Sequence, residues 1–396
     1  MTGMDPLIYL DHNATTPMLP EVVDAMRACY ETPYFNPASQ HEPGRRARRK
    51  LEDARERIGE LLGARVSAAD ADTLLFTSGG TEANNLALFG LGEGRFSGPG
   101  SASRHIIVSS IEHPSIATSA DELARGGWQV DRLGVDERGL LRGDRLSELL
   151  RPETRLVAVM LGQNETGVLQ PVAELAAICA QRGVPCHTDA AQVVGKLPVD
   201  FRALGVTTLS AAAHKFHGPL GVGVLIVRHG TELRPQSFGG FQQNGLRPGT
   251  ESVALAVGMC RALELWHADR DARAVQLRQL RDRFEAAILQ GWPNAVVIGR
   301  GAPRLPQTSN IAFVGLERQA LFMALDQAGV ACSTGSACAS GSSEPSPALV
   351  AMGCERSVVT SALRFSLGIT TTEPDIAEAA RRILRCCNEL GRRNRA

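Results

Sequence analysis

The chain has 396 residues, and its 42 Lys+Arg are balanced by 42 Asp+Glu, so its formal net charge is zero. Hydrophobic residues make up 43% and charged residues 21%, the balance of a globular chain long enough for two domains rather than of a disordered one. Neutrality leaves no basic field for nucleic acid, and no run approaches the roughly 18 apolar residues of a membrane span. The start, Met1-Thr2-Gly3-Met4-Asp5-Pro6, lacks the basic-then-apolar plan of a signal peptide. Nine cysteines without a C-x-x-C spacing argue against a disulfide scaffold or a metal site and fit a reducing cytoplasm.

Along the chain, the first marked segment is Arg45-Arg46-Ala47-Arg48-Arg49-Lys50. It reads either as a phosphate-contacting patch or as a solvated helix face. Glu52, Asp53, Glu56 and Glu60 follow at spacings that pair with arginines, which favours the solvated face. From about residue 70 to 230, short β-type runs alternate with helix-length segments. Strands are expected at 73–77, 105–109, 129–133, 155–160, 185–188, 207–212 and 222–227, with helices between them such as 80–91, 115–125 and 172–182. Several strands are almost continuously apolar, as when helices cover both faces of a sheet. The expectation is a three-layer αβα domain on a mainly parallel, seven-stranded sheet.

After residue 250 the pattern changes. A long helix is expected over 252–289, ending at Gly291-Trp292-Pro293. Short strands (296–298, 310–313, 362–366) and helices (317–328, 375–390) follow, forming a smaller α+β domain. We place the large domain at 17–258 and the small one at 1–16 and 259–396. The stretches 92–103 and 331–343 read as loops.

Only three of the basic residues are lysines: Lys50, Lys196 and Lys215. Lys50 lies in the arginine-rich helix and Lys196 in the turn Gly195-Lys196-Leu197-Pro198; both look solvated. Lys215 ends a strand of small apolar residues, where a partly buried ammonium is disfavoured and a free amine results; a snorkelling lysine is the plainer alternative.

Four other segments could carry chemistry. Phe76-Thr77-Ser78-Gly79-Gly80-Thr81-Glu82 runs from strand to helix through two glycines, a cup for an anion or simply a tight turn. Asp189, in Cys186-His187-Thr188-Asp189-Ala190-Ala191-Gln192, sits at the carboxyl end of a buried strand, where ligands of open α/β sheets collect. It could equally cap a helix, and a buried carboxylate there calls for a positive partner. Residues 331–343 hold no charge and nothing larger than threonine or cysteine, so this loop should be mobile and carry Cys338 as a thiolate nucleophile. No Lys or Arg lies between Arg318 and Arg356, so activation of Cys338 must come from across the fold. Cys332 reads as packing. Arg364 lies within a strand and offers a fork for a carboxylate or for a structural ion pair.

A phosphate cup, a strand-end aspartate, a desolvated lysine and an arginine together meet the requirements of a pyridoxal-phosphate site. Across essentially its whole length the chain resembles the cysteine desulfurases of the iron–sulfur-assembly and nitrogen-fixation type, within the class V aminotransferase-like, fold type I enzymes. The resemblance rests on Tyr9-Leu10-Asp11-His12-Asn13-Ala14-Thr15-Thr16, Phe35-Asn36-Pro37, Thr77-Ser78-Gly79-Gly80-Thr81-Glu82 and Glu112-His113-Pro114. It continues through Asn164-Glu165-Thr166-Gly167, His187-Thr188-Asp189, Ala213-His214-Lys215-Phe216-His217 and Arg247-Pro248-Gly249-Thr250-Glu251. It closes with Gly335-Ser336-Ala337-Cys338 and Arg364-Phe365-Ser366.

The resemblance implies pyridoxal 5'-phosphate as cofactor, L-cysteine as substrate, a homodimer and a sulfur-acceptor protein such as an iron–sulfur scaffold. It implies that Lys215 holds the cofactor covalently and moves the substrate's Cα proton. Asp189 would keep the ring nitrogen protonated, His113 would stack on the ring and take part in proton transfer, and Gln192 would bond the ring hydroxyl. Gly80, Thr81 and His214 would hold the phosphate, with Thr250 reaching in from a second subunit. Asn13, Asn164 and Arg364 would bind the substrate, and Cys338 would take its sulfur as a persulfide, releasing alanine. The chain departs from its relatives in three places. Ala211, Ala212 and Ala213 stand where a hydroxyl residue is common, His12 where asparagine is common, and Leu220 where lysine is common. Other readings are a selenocysteine lyase or transaminase in which Cys338 plays no part, and a catalytically idle subunit of sulfur assembly.

Overall fold

The structure is a computed structural model that describes residues 6–33, 35–67, 69–92, 104–335 and 345–393. In chain order it opens with β1 (Ile8–Tyr9), α1 (Pro20–Glu31) and α2 (Glu42–Leu61). The alternating region runs β2 (Thr73–Thr77), α3 (Gly80–Gly92), β3 (His105–Ser109), α4 (Pro114–Arg125), β4 (Gln129–Leu133) and α5 (Gly143–Leu149). It continues with β5 (Thr154–Met160), α6 (Val172–Gln181), β6 (Cys186–Asp189), α7 (Phe201–Leu204), β7 (Thr208–Ala212) and β8 (Gly223–Val227). The remainder comprises α8 (Val253–Gly291), β9 (Ala295–Val297), β10 (Thr308–Phe313), α9 (Arg318–Gln327) and β11 (Val330–Ala331). It ends with α10 (Pro347–Ala351), α11 (Arg356–Val359), β12 (Ala362–Ser366) and α12 (Glu373–Arg393). The seven strands expected between 70 and 230 are all present, with no end shifted by more than one residue. The loop expected at 92–103 lies, apart from Gly92, outside the described residues.

Those seven strands form one sheet in the order β2-β8-β7-β6-β5-β3-β4. Pairing is parallel except along β8, which is antiparallel to both β2 and β7. Strand residues alternate between the two faces of the sheet, as the two-residue period of a strand requires. Leu74, Phe76, Ile107, Val157, Val159 and Ile226 face a layer holding α1, α2, α6 and the first half of α8. Leu75, Ile106, Val108, Leu156, Ala158 and Leu225 face α3 and α4. This gives three layers.

A second core joins β1, β10, β12, α9 and α12 to the last turns of α8 through Leu277, Phe284 and Ile288. Helix α8 therefore serves both cores, and its backbone leaves helical geometry between them at Asp269 (φ −125°, ψ 18°). Along the sheet, β3 leads outward to β4 whereas β5 leads the other way to β6 and β7. The carboxyl ends of β3 and β5 thus form the switch point at which such sheets collect ligands. Among the described residues no helix is long and apolar enough to cross a membrane.

Candidate active site

A cavity of about 250 Å³ opens over those strand ends, and Gly80, Thr81, His113, Asn164, Asp189 and Lys215 are among its lining residues. A larger one of about 440 Å³ lies at the opposite strand ends, beside Arg151, Arg182 and Thr207. It contains none of the residues expected to act, so chemistry rather than size identifies the site.

At one end, β2 turns into α3. Thr77 Oγ1 donates to Gly79 O at 2.9 Å, and the first N–H groups of α3 are left for a ligand. Gly223 must lack a side chain here, because a Cβ would lie 2.7 Å from Ala211 O and 2.9 Å from Gly79 Cα. Gly80 has a different reason. Its Cβ would find only Ala212 Cβ within 4 Å, at 3.6 Å, so protein packing does not demand glycine and the space in front belongs to the cavity. Glu82 grips Arg247 through two bonds of 2.7 and 3.2 Å and accepts from Ser78 N–H. Burial opposes the Glu82 charge, but this pairing prevails and holds its carboxyl below the usual range.

The floor is Asp189, at the end of β6. One oxygen accepts from Asn84 Nδ2 at 2.7 Å and the other from Ala191 N–H at 2.9 Å. Instead of the positive partner expected from sequence, neutral donors hold this carboxylate. Asn84 is itself held, by Ser210 Oγ at 2.5 Å and His187 Nε2 at 3.1 Å. Ser210 is thereby committed beneath the sheet edge and offers nothing to a phosphate; Ala212 lines the cavity in its place.

His113 caps α4, with Nδ1 accepting from Ser115 N–H at 3.1 Å. That acceptor role leaves the ring proton on Nε2. Burial pushes the ring's pKa down, against the pull of Asp189, so the ring is neutral at pH 7. Gln192 donates to Asn13 O at 3.0 Å, while its Oε1, although buried, meets no protein partner.

Lys215 follows β7 in a single 3₁₀ turn. Its Nζ donates to the carbonyls of Asn13 and Ala14 at 2.7 and 2.9 Å. Burial first, and then Arg364, brings its pKa down to about 8. The neighbouring His214 is pushed down to about 4, chiefly by burial and then by Lys215, so it meets a ligand as a neutral donor. Arg364 donates to Asn164 O at 3.1 Å and pairs with Asp11 at 2.8 Å. Its backbone also bonds Ser333 in both directions, which ties the strand carrying Arg364 to the root of the cysteine segment.

Not every expected residue reaches the cavity. Asn13 spends its amide on Thr308 Oγ1 (2.8 Å), Asn164 O (3.2 Å) and Gln307 (3.3 Å), and it presents only its carbonyl oxygen to Lys215. Thr250 lies behind the phosphate turn, in a separate 200 Å³ hollow with Ser78 and Arg247. Cys338 falls outside the described residues. Cys332 packs in the second core, as expected. In the basic helix, Arg45 and Arg48 bond the carbonyls of Gln40 and Pro37 and Arg46 pairs with Glu42 at 3.7 Å, in line with the solvated reading.

Lys196 requires a correction. It is buried (5% exposed) rather than solvated, and its Nζ meets no partner among the described residues. Burial, and then Lys215, lowers its pKa to about 7. Its turn is drawn inward because Gly195, at φ +75°, packs where any Cβ would strike the Phe216 ring. Sequence reasoning also missed Asn84; the available signal was a polar residue three positions after Thr81, on the face of α3 that meets the sheet.

The donor set fits pyridoxal phosphate. Helix N–H groups suit a phosphate, a carboxylate floor suits a protonated ring nitrogen, a neutral histidine suits the ring face, and an amine of lowered pKa suits an aldehyde. Gln192 lines the same space. Comparison with known proteins agrees with this. A family model for aminotransferase class-V matches residues 8–378. The chain is 39% identical over 369 residues to cysteine desulfurase IscS of Dictyoglomus turgidum, across 93% of this chain and 91% of that protein. It is 38% identical over 376 residues to cysteine desulfurase NifS of Azotobacter vinelandii, across 95% and 91% respectively. It also matches the solved structure of a NifS-like protein at a TM-score of 0.88 and 32% identity, over 97% of this chain and 100% of that one.

Proposed function

Because the chain belongs to the aminotransferase class-V family and is a cysteine desulfurase that uses pyridoxal phosphate, we propose that Lys215 and Cys338 divide its chemistry between them. When bound, the cofactor supplies a conjugated cationic ring that accepts the electron pair released at the substrate's Cα. Lys215, as a free amine, would hold the cofactor at its aldehyde carbon and would carry the substrate's Cα proton, which its lowered pKa permits near neutrality. Asp189 would face the ring nitrogen, with Asn84 and Ala191 fixing both its oxygens. His113 would cover the ring, Gln192 would meet its hydroxyl, and Gly80, Thr81 and His214 would hold the phosphate. Arg364 and Asn164 would take the substrate carboxylate, while Asn13 buttresses Asn164 through its side-chain amide and Lys215 through its backbone carbonyl.

The Cys338 thiolate then attacks the substrate sulfur. An S–S bond forms, the Cβ–S bond breaks, and its electron pair remains on Cβ, which takes a proton to give alanine. Cys338 is left as a persulfide that a sulfur-acceptor protein removes, for iron–sulfur cluster or other sulfur-cofactor assembly. The reading includes a cytoplasmic homodimer in which Thr250 serves the partner's site, and the domain division at 258/259. The observation that carries it is the convergence of Lys215, Asp189, His113 and the α3 N-terminus on one cavity. The test is peptide mass spectrometry after treatment with L-cysteine. Extra sulfur should sit on the Cys338 peptide and be absent from Cys338→Ser, which should also release no alanine above background. Undiminished alanine and sulfide release by that variant would return the protein to the lyase or transaminase reading.

A further inference from the structure

The function proposed above employs His113 and leaves its neighbour Glu112 without a task. Strand β3 ends at Ser109 while β5 runs on to Met160, and at the switch point the chain leaves the two strands in opposite directions. Leu161 N–H turns toward β6 and finds Asp189 O at 2.9 Å. By the alternation of a strand, Met160 N–H points the other way, toward a β3 that no longer continues. The Glu112 carboxyl stands in that gap. Its Oε1 accepts Met160 N–H at 2.8 Å and also the Ser109 hydroxyl. Its Oε2 is shut off from solvent and meets no partner.

We propose that Glu112 is a positioning residue for the desulfuration, whose carboxyl replaces the missing strand partner and so sets His113 on one cavity wall against Met160 and Asn164 on the other. The inference rests on the reading of this cavity as the cofactor site. The carboxyl acts as a neutral acid. Among the described residues no lysine or arginine pairs with it, and the charged group that faces it is a second carboxylate, Asp189. The Cys186 thiol, lower on the same strand as Asp189, and the neutral His113 ring add no positive charge. Burial raises the group to about 8, against the bonds from Ser109 and Met160. A neutral acid also suits a site that must not place a second negative charge beside the one under the ring.

The test compares Glu112→Gln and Glu112→Ala with wild type as cofactor-loaded enzymes. It follows kcat and KM for L-cysteine, the cofactor absorption band, and Tm between pH 5 and 9. Glutamine copies a neutral acid, so its kcat/KM should stay within about twofold of wild type, whereas alanine should lose about tenfold or more by leaving Met160 N–H unpartnered. A carboxyl raised in the fold favours folding fully below its ordinary 4.5, and that contribution fades as pH climbs through about 8. Glutamine lacks the dependence, so Tm of Glu112→Gln minus Tm of wild type should grow with pH across that window. A glutamine variant as impaired as the alanine one, or a Tm difference flat with pH, overturns the proposal. If alanine does not fold, the glutamine arm decides. Failure of the cofactor reading would look different: wild type itself would show no band and make no alanine, while the Tm comparison would still stand.

Discussion

Asn84 Nδ2 lies 2.7 Å from Asp189 Oδ2 and 2.8 Å from Ser115 Oγ. A helix residue, a strand-end carboxylate and the first turn of α4 are thus joined through one amide, whose oxygen in turn accepts from Ser210 and His187. The Asp189 carboxylate owes its position to a neutral group 105 residues away in sequence.

Asn84→Ala should therefore weaken cofactor binding more than its distance from the phosphate suggests. Leaving Asp189, Ser210 and His187 each short of a partner costs on the order of 1–3 kcal/mol, so the dissociation constant should rise about tenfold or more. Absorbance titration of the apoprotein with pyridoxal phosphate measures this. An affinity within twofold of wild type would show that Asp189 keeps its place without the amide.

Capture of the cofactor should follow the neutral fraction of Lys215. With its pKa lowered to about 8, the amine is mostly protonated at pH 6.5 and mostly free at pH 9. The rate of cofactor uptake should climb roughly tenfold per pH unit below that value and level above it. Lys215→Ala should lose the borohydride-bleachable absorption altogether. Retention of that absorption in the alanine variant would remove Lys215 from its assigned role.

Lys196 should cost stability at neutral pH. A lysine depressed from 10.5 to about 7 in the fold supports folding above 10.5, and that support is lost as pH falls toward 7. Lys196→Met should raise Tm at pH 7 and flatten the rise in Tm between pH 7 and 10. A methionine variant that melts lower at pH 7 would mean that the amine has a partner of consequence.

Arg364 pairs with Asp11, and under the proposed function it exchanges that carboxylate for the substrate's. Arg364→Lys keeps the charge but not the fork. KM for L-cysteine should rise about tenfold with kcat little changed, since the contact is made equally in ground and transition states. Steady-state kinetics with varied L-cysteine tests this, and an unchanged KM would assign Arg364 to the Asp11 ion pair alone.

Sequence by itself settled what depends on neighbours along the chain. The seven strands show as apolar runs, the turn from β2 into α3 shows as two glycines between a strand and a helix, and Lys215 stands out because lysine is so rare here and this one ends a buried strand. Such signals survive in one dimension because a strand period or a tight turn is written in a few consecutive residues. Only the tertiary structure decided which polar groups are dry and what satisfies them. Lys196 looked solvated because its turn has the composition of a surface turn, and it is buried because Phe216 closes over Gly195. Asn84, Glu112 and the Asp11–Arg364 pair act across 105, 48 and 353 residues of sequence. Burial and pairing are properties of a place in space, and folding assigns that place by packing the sheet, not by any pattern these residues share locally.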